Sequence, residues 1–226
     1  MQSGILGTVS GNIGNLESFI SEREEGQFSL RKAIDIRNHI EGPQAKKTYF
    51  GYAATERLIE ADSFEFNKNQ IHSSEERQKE TILSEFIAVP DEFALVENSK
   101  GTFAFDIIEG NSNCTIDRIK INLEHLLDDL SENSSQWQVG FTDRGGNAEN
   151  GVLYGEDVLD DQSTLDLISD SKINQLGVSD LKHQGMTMKF TITRSGYIQV
   201  YQPGNINEEE FLKFIGERIQ PYFKIE

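Results

Sequence analysis

Apolar and polar residues alternate most regularly near the C-terminal end of the chain. In the stretch FTITRSGYIQVYQPG, Phe190 and Ile192 precede a Ser-Gly turn, and Ile198 and Val200 follow it. A period of two residues is typical of a strand with one buried face. Gly196 supplies the positive φ that a tight hairpin turn needs. The pattern predicts a β-hairpin.

A helix is predicted directly after this hairpin. Asn207 and Glu210 have the spacing of a capping box, in which each side chain accepts a backbone N–H of the first turn. The apolar positions that follow lie on one helical face: Phe211, Phe214, Ile215 and Ile219.

The N-terminal half shows weaker and mixed patterns. Helical spacing predicts helices over 16–25, 29–40 and 73–86. The second is predicted to stop at Gly42-Pro43, and the third to begin at a Ser73–Glu76 capping box. A strand over 28–36 is the alternative for the second of these. Aromatic and β-branched residues predict a strand over 47–69.

Further along, residues 92–108 predict a second hairpin that turns at Gly101, and 115–130 predict a helix. Strands are predicted over 137–143 and 151–155, joined by a glycine-rich loop, and turns with short helices over 158–185. The polar loop after Leu130 is the best boundary. It divides the chain into an N-terminal half, 1–130, and a C-terminal half, 131–226, which can pack as one compact domain.

The two halves follow a similar order of elements. The interval from Gly101 to Gly196 matches the interval from Arg57 to Arg144 within the length of a loop insertion. We therefore predict an α+β protein whose antiparallel sheets are covered by helices, built as two pseudo-equivalent hairpin–helix halves. A single irregular α+β domain with coincidental spacing is the alternative.

The C-terminal unit resembles the hairpin and helix of TATA-binding-protein-like repeats. The likeness lies in the Ser195-Gly196 turn, Gly204 and the acidic helix start NEEEF, within residues 190–215. The concave face of those proteins needs Lys and Arg for phosphates. This chain offers few, so no membership is assigned and no functional residue is carried over.

The charge of the chain narrows the range of partners. The formal net charge is −17 and the pI is about 4.6. Such a field repels free nucleic acid and anionic membranes at long range. It is explained by a solvated acidic surface, including adaptation to high salt, by docking to a basic partner, or by mimicry of nucleic acid.

Cysteine usage and the N-terminus suggest a cytoplasmic protein. Cys114 is the only cysteine, which suits a reducing compartment. The N-terminal segment lacks the pattern of a secretory signal, and no apolar run is long enough to span a membrane. We expect no membrane partner, and the sequence leaves the oligomeric state open.

Two groups of charged residues are candidate binding sites. The Thr-acid-Arg triplets place Glu56 with Arg57 and Asp143 with Arg144 at strand ends, and an Arg beside an acid can bind a carboxylate or a phosphate. Arg194 in the C-terminal hairpin is a further candidate. Ordinary surface ion pairs are the simpler explanation.

The second group is acidic and lies in one loop: Glu156, Asp157, Asp160 and Asp161. Clustered carboxylates can dock a basic partner or hold magnesium or calcium. A charged surface loop without either role is the simpler explanation.

Motifs of catalysis are absent from the sequence. It contains no HExxH, CxxC, GxSxG, GxGxxG or GxxxxGK pattern. We therefore expect no cofactor and no zinc, and lean against an enzyme. The leading hypothesis is a non-enzymatic acidic subunit that docks a basic protein. Association with nucleic acid, directly or by mimicry, is second, and a metal-dependent hydrolase using Asp157, Asp160 and Asp161 is third.

Overall fold

The protein is a mixed α+β structure dominated by antiparallel sheet, with four α-helices among the residues that the structure describes. The computed structural model describes residues 1–14, 16–41, 47–68, 70–145 and 149–224. Within these residues, no helix is long and apolar enough to cross a membrane.

The strands are β1 (Ser3–Asn12), β2 (Phe19–Glu25), β3 (Phe28–Glu41), β4 (Lys47–Asn67), β5 (Gln70–Val89), β6 (Phe93–Val96), β7 (Asn113–Arg118), β8 (Lys120–Ile121), β9 (Ser135–Thr142), β10 (Gly151–Tyr154), β11 (Lys172–His183), β12 (Met186–Thr193), β13 (Tyr197–Gln202) and β14 (Phe223–Lys224). The helices are α1 (Phe103–Glu109), α2 (Leu123–Leu130), α3 (Gln162–Ile168) and α4 (Glu208–Phe214).

Twelve strands of the described ranges form one sheet that runs through both halves of the chain. Its order is β10-β9-β11-β12-β13-β1-β6-β5-β4-β3-β2, with β7 also paired to β1. The first strand is the link, because β1 pairs with β13 through Ser3–Ile5 and with β6 through Ile5–Thr8. A second, two-stranded sheet pairs β8 with β14.

Two apolar clusters pack on opposite faces of this sheet. Phe86 and Ile87 are neighbours on β5 but belong to different clusters, as alternation along a strand requires. The cluster of Ile87 lies mostly at the C-terminal end and includes α2 and α4, where Phe214 stacks edge-on to Phe190 at 5.1 Å. The cluster of Phe86 lies at the N-terminal end and includes α1.

A two-stranded ribbon projects from the sheet, and we call it the arm. It comprises residues 57–67 of β4 and 70–80 of β5, paired continuously from Arg57↔Glu80 to Asn67↔Gln70. The register of β3 on β4 ends at Thr55, and that of β6 on β5 begins at Phe86. The arm extends about 35 Å at the ordinary rise of a strand.

The predicted C-terminal hairpin, the cap of the following helix and the two strands after the boundary loop are confirmed. β12 and β13 form the hairpin, with Ile192 opposite Ile198 and Gly196 at φ +82°. The capping box of α4 is present in both directions, Asn207 accepting from Glu210 N at 2.9 Å and Glu210 accepting from Asn207 N at 3.1 Å. The predicted strands around residues 137–143 and 151–155 are β9 and β10.

The helices predicted over 16–25, 29–40 and 73–86 are wrong. These segments lie in β2, β3 and β5, and the alternative strand over 28–36 is the correct one. The Ser73–Glu76 signature lies inside the arm, where Ser73 is opposite Phe64 on β4. Pairing along a long partner strand outweighs a local capping signal. The helix stop predicted at Gly42-Pro43 falls outside the described residues.

The hairpin predicted over 92–108 is also wrong. After β6 the chain makes a 3₁₀ turn at Ser99–Thr102 and enters α1. Gly101 serves close packing rather than a hairpin turn, since a Cβ there would lie 2.1 Å from Ser84 Oγ. The helix predicted over 115–130 begins only at Leu123, and the turns expected over 158–185 include the twelve residues of β11. The repeat of hairpin–helix units therefore stays a prediction that the fold does not confirm.

Candidate partner-binding cleft

A cleft of about 540 Å³ opens at the C-terminal end of the sheet. Phe190 and Ile192 of β12 belong to the apolar cluster on one face of the sheet, so Thr191 between them points to the other face. Thr191 contacts Gln138 beneath the cleft, which places the cleft on that other face. Thr191 Oγ1 donates to Gln138 Oε1 at 3.2 Å, and Gln138 Nε2 donates to the hydroxyl of Tyr154 at 3.2 Å. Three strands are thus tied together beneath the cleft.

Trp137 reaches this face through a bulge in β9. The register on β11 runs from Gly177↔Gln138 to Val178↔Gln136, so that Trp137 is left without a partner opposite it. Gly177 makes room for the ring. A Cβ at Gly177 would lie 2.7 Å from Trp137 Cε2 and 2.6 Å from Gln138 Cβ.

Two tyrosines and a lysine surround the indole. The ring centroid of Trp137 lies 6.3 Å from that of Tyr154 and 5.8 Å from that of Tyr201, the second pair edge-on. Lys189 Nζ lies 4.9 Å from the Trp137 centroid, within the range of a cation–π contact. The indole Nε1 is buried and has no hydrogen-bond partner. The free protein therefore already holds one cation against this ring.

Three carboxylates line the same cleft: Glu156, Asp157 and Asp180. All three are exposed, and Asp157 and Asp180 have positive φ angles of 46° and 62°. None of them has a cation within ion-pair distance among the residues that the structure describes. The cleft thus combines electron-rich rings with carboxylates that are free to pair.

This combination suits a cationic side chain. A Lys or Arg head over an aromatic face gains about 0.5–1 kcal/mol at an exposed site, and an adjacent carboxylate adds a charge-assisted hydrogen bond.

Glu56 and Arg57 of the first predicted site are already paired with residues of the arm and of the strands at its base. Arg57 Nε donates to Glu80 Oε2 across the ribbon at 2.7 Å. Glu56 accepts the backbone N–H of Arg31 at 2.9 Å and lies 3.5 Å from Lys79 Nζ. The Arg31 hydrogen bond is the main reason why the pKa of Glu56 is lowered.

The second triplet lies far from the first. Asp143 pairs with Lys172 at 3.0 Å, and this contact lowers the pKa of Asp143. Arg144 donates its backbone N–H to Glu149 O at 3.2 Å. Six strands lie between β9 and β4, so the two strands are roughly 34 Å apart at ordinary strand spacing. The structure does not bring the two triplets together.

Arg194 ties the turn of the C-terminal hairpin to α2. Its Nε donates to Ile173 O at 2.8 Å, and its guanidinium forms an ion pair with Glu124. Burial raises the pKa of Glu124, but Arg194 outweighs burial and the pKa is lowered overall.

The acidic loop is divided by the fold. Glu156 and Asp157 line the cleft, whereas Asp161 caps α3 by accepting from Ser163 N at 3.4 Å, from the Ser163 hydroxyl and from Thr164 Oγ1 at 3.3 Å. These bonds lower the pKa of Asp161. Asp160 is exposed and does not line the cleft. Among the described residues, no three His, Cys, Asp or Glu side chains converge as a metal site would require.

Sequence reasoning missed the aromatic part of the cleft. Trp137 and Tyr154 lie on two strands predicted from the sequence, and counting back from the connecting loop would have placed Gln138 opposite Tyr154. Tyr201, Asp180 and Lys189 could not have been found in this way. Their positions in the cleft depend on the order of the strands in the sheet and on bulges in the register.

No protein family, characterised protein or solved structure shows significant similarity to this chain.

Proposed function

We propose that this chain is a non-enzymatic interaction protein that docks a basic protein partner in the cleft of Trp137, Tyr154, Glu156 and Asp157. One observation carries the proposal: a tryptophan flanked by two tyrosines lies beside three carboxylates that have no ion-pair partner among the described residues. A Lys or Arg side chain of the partner satisfies both groups at once.

The charge of the whole chain supports the same partner. A net charge of −17 accelerates encounter with a basic protein and disfavours acidic competitors. Binding through this cleft should therefore weaken as salt screens the charges. We assign the interaction to the cytoplasm, because the single cysteine, Cys114, is a free and buried thiol.

The finer architecture from the sequence remains part of this proposal. Support for helix-covered sheets comes from the C-terminal unit, where Phe214 of α4 packs on Phe190 of β12. In the N-terminal unit α1 contributes Phe105 and Ile108 to the opposite cluster, without a hairpin before it.

The test is calorimetric titration with decalysine as the cationic probe. We expect saturable binding that falls about 10-fold in Glu156→Gln/Asp157→Asn, since two carboxylates of the cleft lose their charge. Asp160→Asn/Asp170→Asn is the matched control, because it also removes two charges and both residues are exposed outside the lining. Equal affinities in the wild type and the double variant would contradict the cleft as the binding site. An equal loss of affinity in the control would show that net charge alone causes the effect.

Nucleic-acid association has no specific observation in its favour. Of the basic residues that a direct contact would use, Arg57 pairs with Glu80, Arg194 pairs with Glu124 and Lys189 lies on Trp137. A metal-dependent hydrolase is likewise unsupported, since Asp161 is a helix cap.

A further inference from the structure

The tip of the arm exposes three large apolar side chains. Phe64, Phe66 and Ile71 are 57%, 80% and 65% exposed. Phe66 is directly opposite Ile71, and Phe64 lies two residues from Phe66, so all three belong to one face of the ribbon. A cluster of this kind at the end of a projecting element is typical of a contact surface.

A second apolar surface lies at the base of the arm, and we call it the groove. It is a row across four strands, in which Ile20 is opposite Ala33, Ala33 opposite Ala54, and Ala54 opposite Leu83. Ile20 and Leu83 are 74% and 60% exposed. The row lines a depression of about 1150 Å³.

The groove and the tip share one face of the ribbon. Ala54 and Phe66 are both even-numbered positions of β4, which has no bulge in its register on β5. Their odd-numbered neighbour Ala53 points to the other face, where it is buried in an apolar cluster. This face is packed by α2 and α4 at the far end of the sheet, but none of the described helices covers it at the groove.

We propose that the groove is occupied by the arm tip of a second copy of this chain. Two chains pair face to face with their arms antiparallel, each tip lying over the other's groove. The pair Glu60↔Arg77 is midway between Ala54↔Leu83 and Phe66↔Ile71. A twofold axis at this midpoint therefore forms both contacts together and closes the dimer.

The register that this axis imposes brings opposite charges together. Lys79 lies opposite Glu75 of the partner subunit, and Glu75 lies opposite Lys79 of the partner subunit. Lys68 lies over the partner's Tyr52, whose hydroxyl is 3.1 Å from Glu85 Oε1. Each of these contacts occurs twice in the dimer. Glu60 and Arg77 lie on the axis, opposite the partner's Glu60 and the partner's Arg77, and each lies beside the other's opposite charge in its own ribbon. The two pairs of Lys79 with Glu75 are therefore the charges that distinguish this register from one shifted along the arm.

Buried area distinguishes reciprocal pairing from a single contact. From their exposed fractions, the side chains of one tip and one groove would bury about 700 Å², which is below the size of a specific interface. Two such contacts would bury about 1,400 Å², which lies within the range of stable complexes. A closed dimer is therefore favoured over an open chain of molecules.

Sedimentation velocity of the full chain at high micromolar concentration tests this proposal. We expect a dimer for the wild type and a monomer for Phe66→Ser/Ile71→Ser, whose sites are exposed and should leave the fold intact. His72→Ser is the matched control on the opposite face of the tip, and it should remain dimeric. A monomeric wild type, or a dimer that survives loss of the tip, would overturn the proposal.

A charge reversal tests the register independently. Glu75→Lys alone should weaken the dimer about 10-fold or more, because it places two lysines opposite each other at both contacts. Glu75→Lys/Lys79→Glu should restore it. If the double variant is as weak as the single one, the two residues do not face each other and the antiparallel register is wrong. The monomeric tip variant should still bind decalysine. Its binding shows whether the cleft works without the dimer, so failure of the dimer proposal can be distinguished from failure of the proposed cleft.

Discussion

The two ends of the sheet are packed on opposite faces, and each leaves its other face open. At the C-terminal end, α2 and α4 cover one face and the open face carries Trp137, Tyr154 and Tyr201 with free carboxylates. At the N-terminal end the open face carries Ile20, Leu83 and the arm.

The difference lies in what each open face lacks. Charges around the groove are already paired within the chain, as in Arg37 with Asp35 and Arg31 with Glu22, so apolar area is what remains uncovered. In the cleft the apolar rings already contact one another, and it is the carboxylates that have no ion-pair partner in the part of the chain that the structure describes. One surface therefore suits an apolar partner and the other a cationic one.

The largest expected effect concerns whether the two ends fold as one unit. Phe214→Ala at the cleft end and Phe86→Ala at the arm end should each lower the free energy of unfolding by about 3–5 kcal/mol. Phe86 and Ile87 are neighbours on β5 and belong to the two different clusters. Because one strand contributes to both clusters, we expect a single unfolding transition in urea. Two separated transitions, by circular dichroism and by Trp137 fluorescence, would show that the ends are independent.

A smaller effect is expected from filling the space beneath Trp137. Gly177→Ala places a Cβ against the indole and Gln138, so it should destabilise the protein by about 1–3 kcal/mol and displace the ring. Gly204→Ala is the control, because no atom lies within 4 Å of a Cβ there. Urea denaturation of both variants measures the difference. Equal stability of the two would mean that Trp137 does not depend on Gly177.

Removing the internal cation should strengthen binding in the cleft. Lys189→Met vacates the indole face and removes a positive charge, so the affinity for decalysine should rise about 3-fold. The dimer should be unaffected, because Lys189 lies at the other end of the sheet. An unchanged or lower affinity would contradict the view that Lys189 occupies the position of the ligand's cation on the indole.

The smallest effect is a difference in acid sensitivity. His183 is buried beside Phe214, and burial lowers its pKa. A histidine whose pKa is lowered in the folded state contributes stability above its unfolded pKa of about 6.5 and loses it as pH falls through the folded pKa. His183→Leu should therefore flatten the stability profile between pH 7 and 5. An unchanged slope in urea titrations would assign the acid response to other groups.

The sequence predicted the parts of the fold that local chemistry determines. The hairpin around Gly196 and the cap at Asn207 depend on neighbouring residues, and both are confirmed. Ser73 and Glu76 carry an equally local helix signal, yet they form a strand because β4 supplies a partner along its whole length. Such pairing depends on a distant segment and has no local signature.

The candidate sites follow the same division. Glu156 and Asp157 were predicted from a run of acidic residues and do line the cleft. Trp137 was predicted only as part of a strand, since its place depends on a bulge opposite Gly177. The groove could not be predicted, because it requires the register of four strands, three of which have the sequence pattern of helices.

Trp137 fluorescence during titration with decalysine tests the central claim most directly, because Trp137 is the only tryptophan in the chain. The account predicts a saturable change in emission that follows the calorimetric binding curve and shifts to higher peptide concentration as salt rises. Binding heat without any change in emission would place the cationic ligand elsewhere on the acidic surface and would contradict the cleft as the docking site.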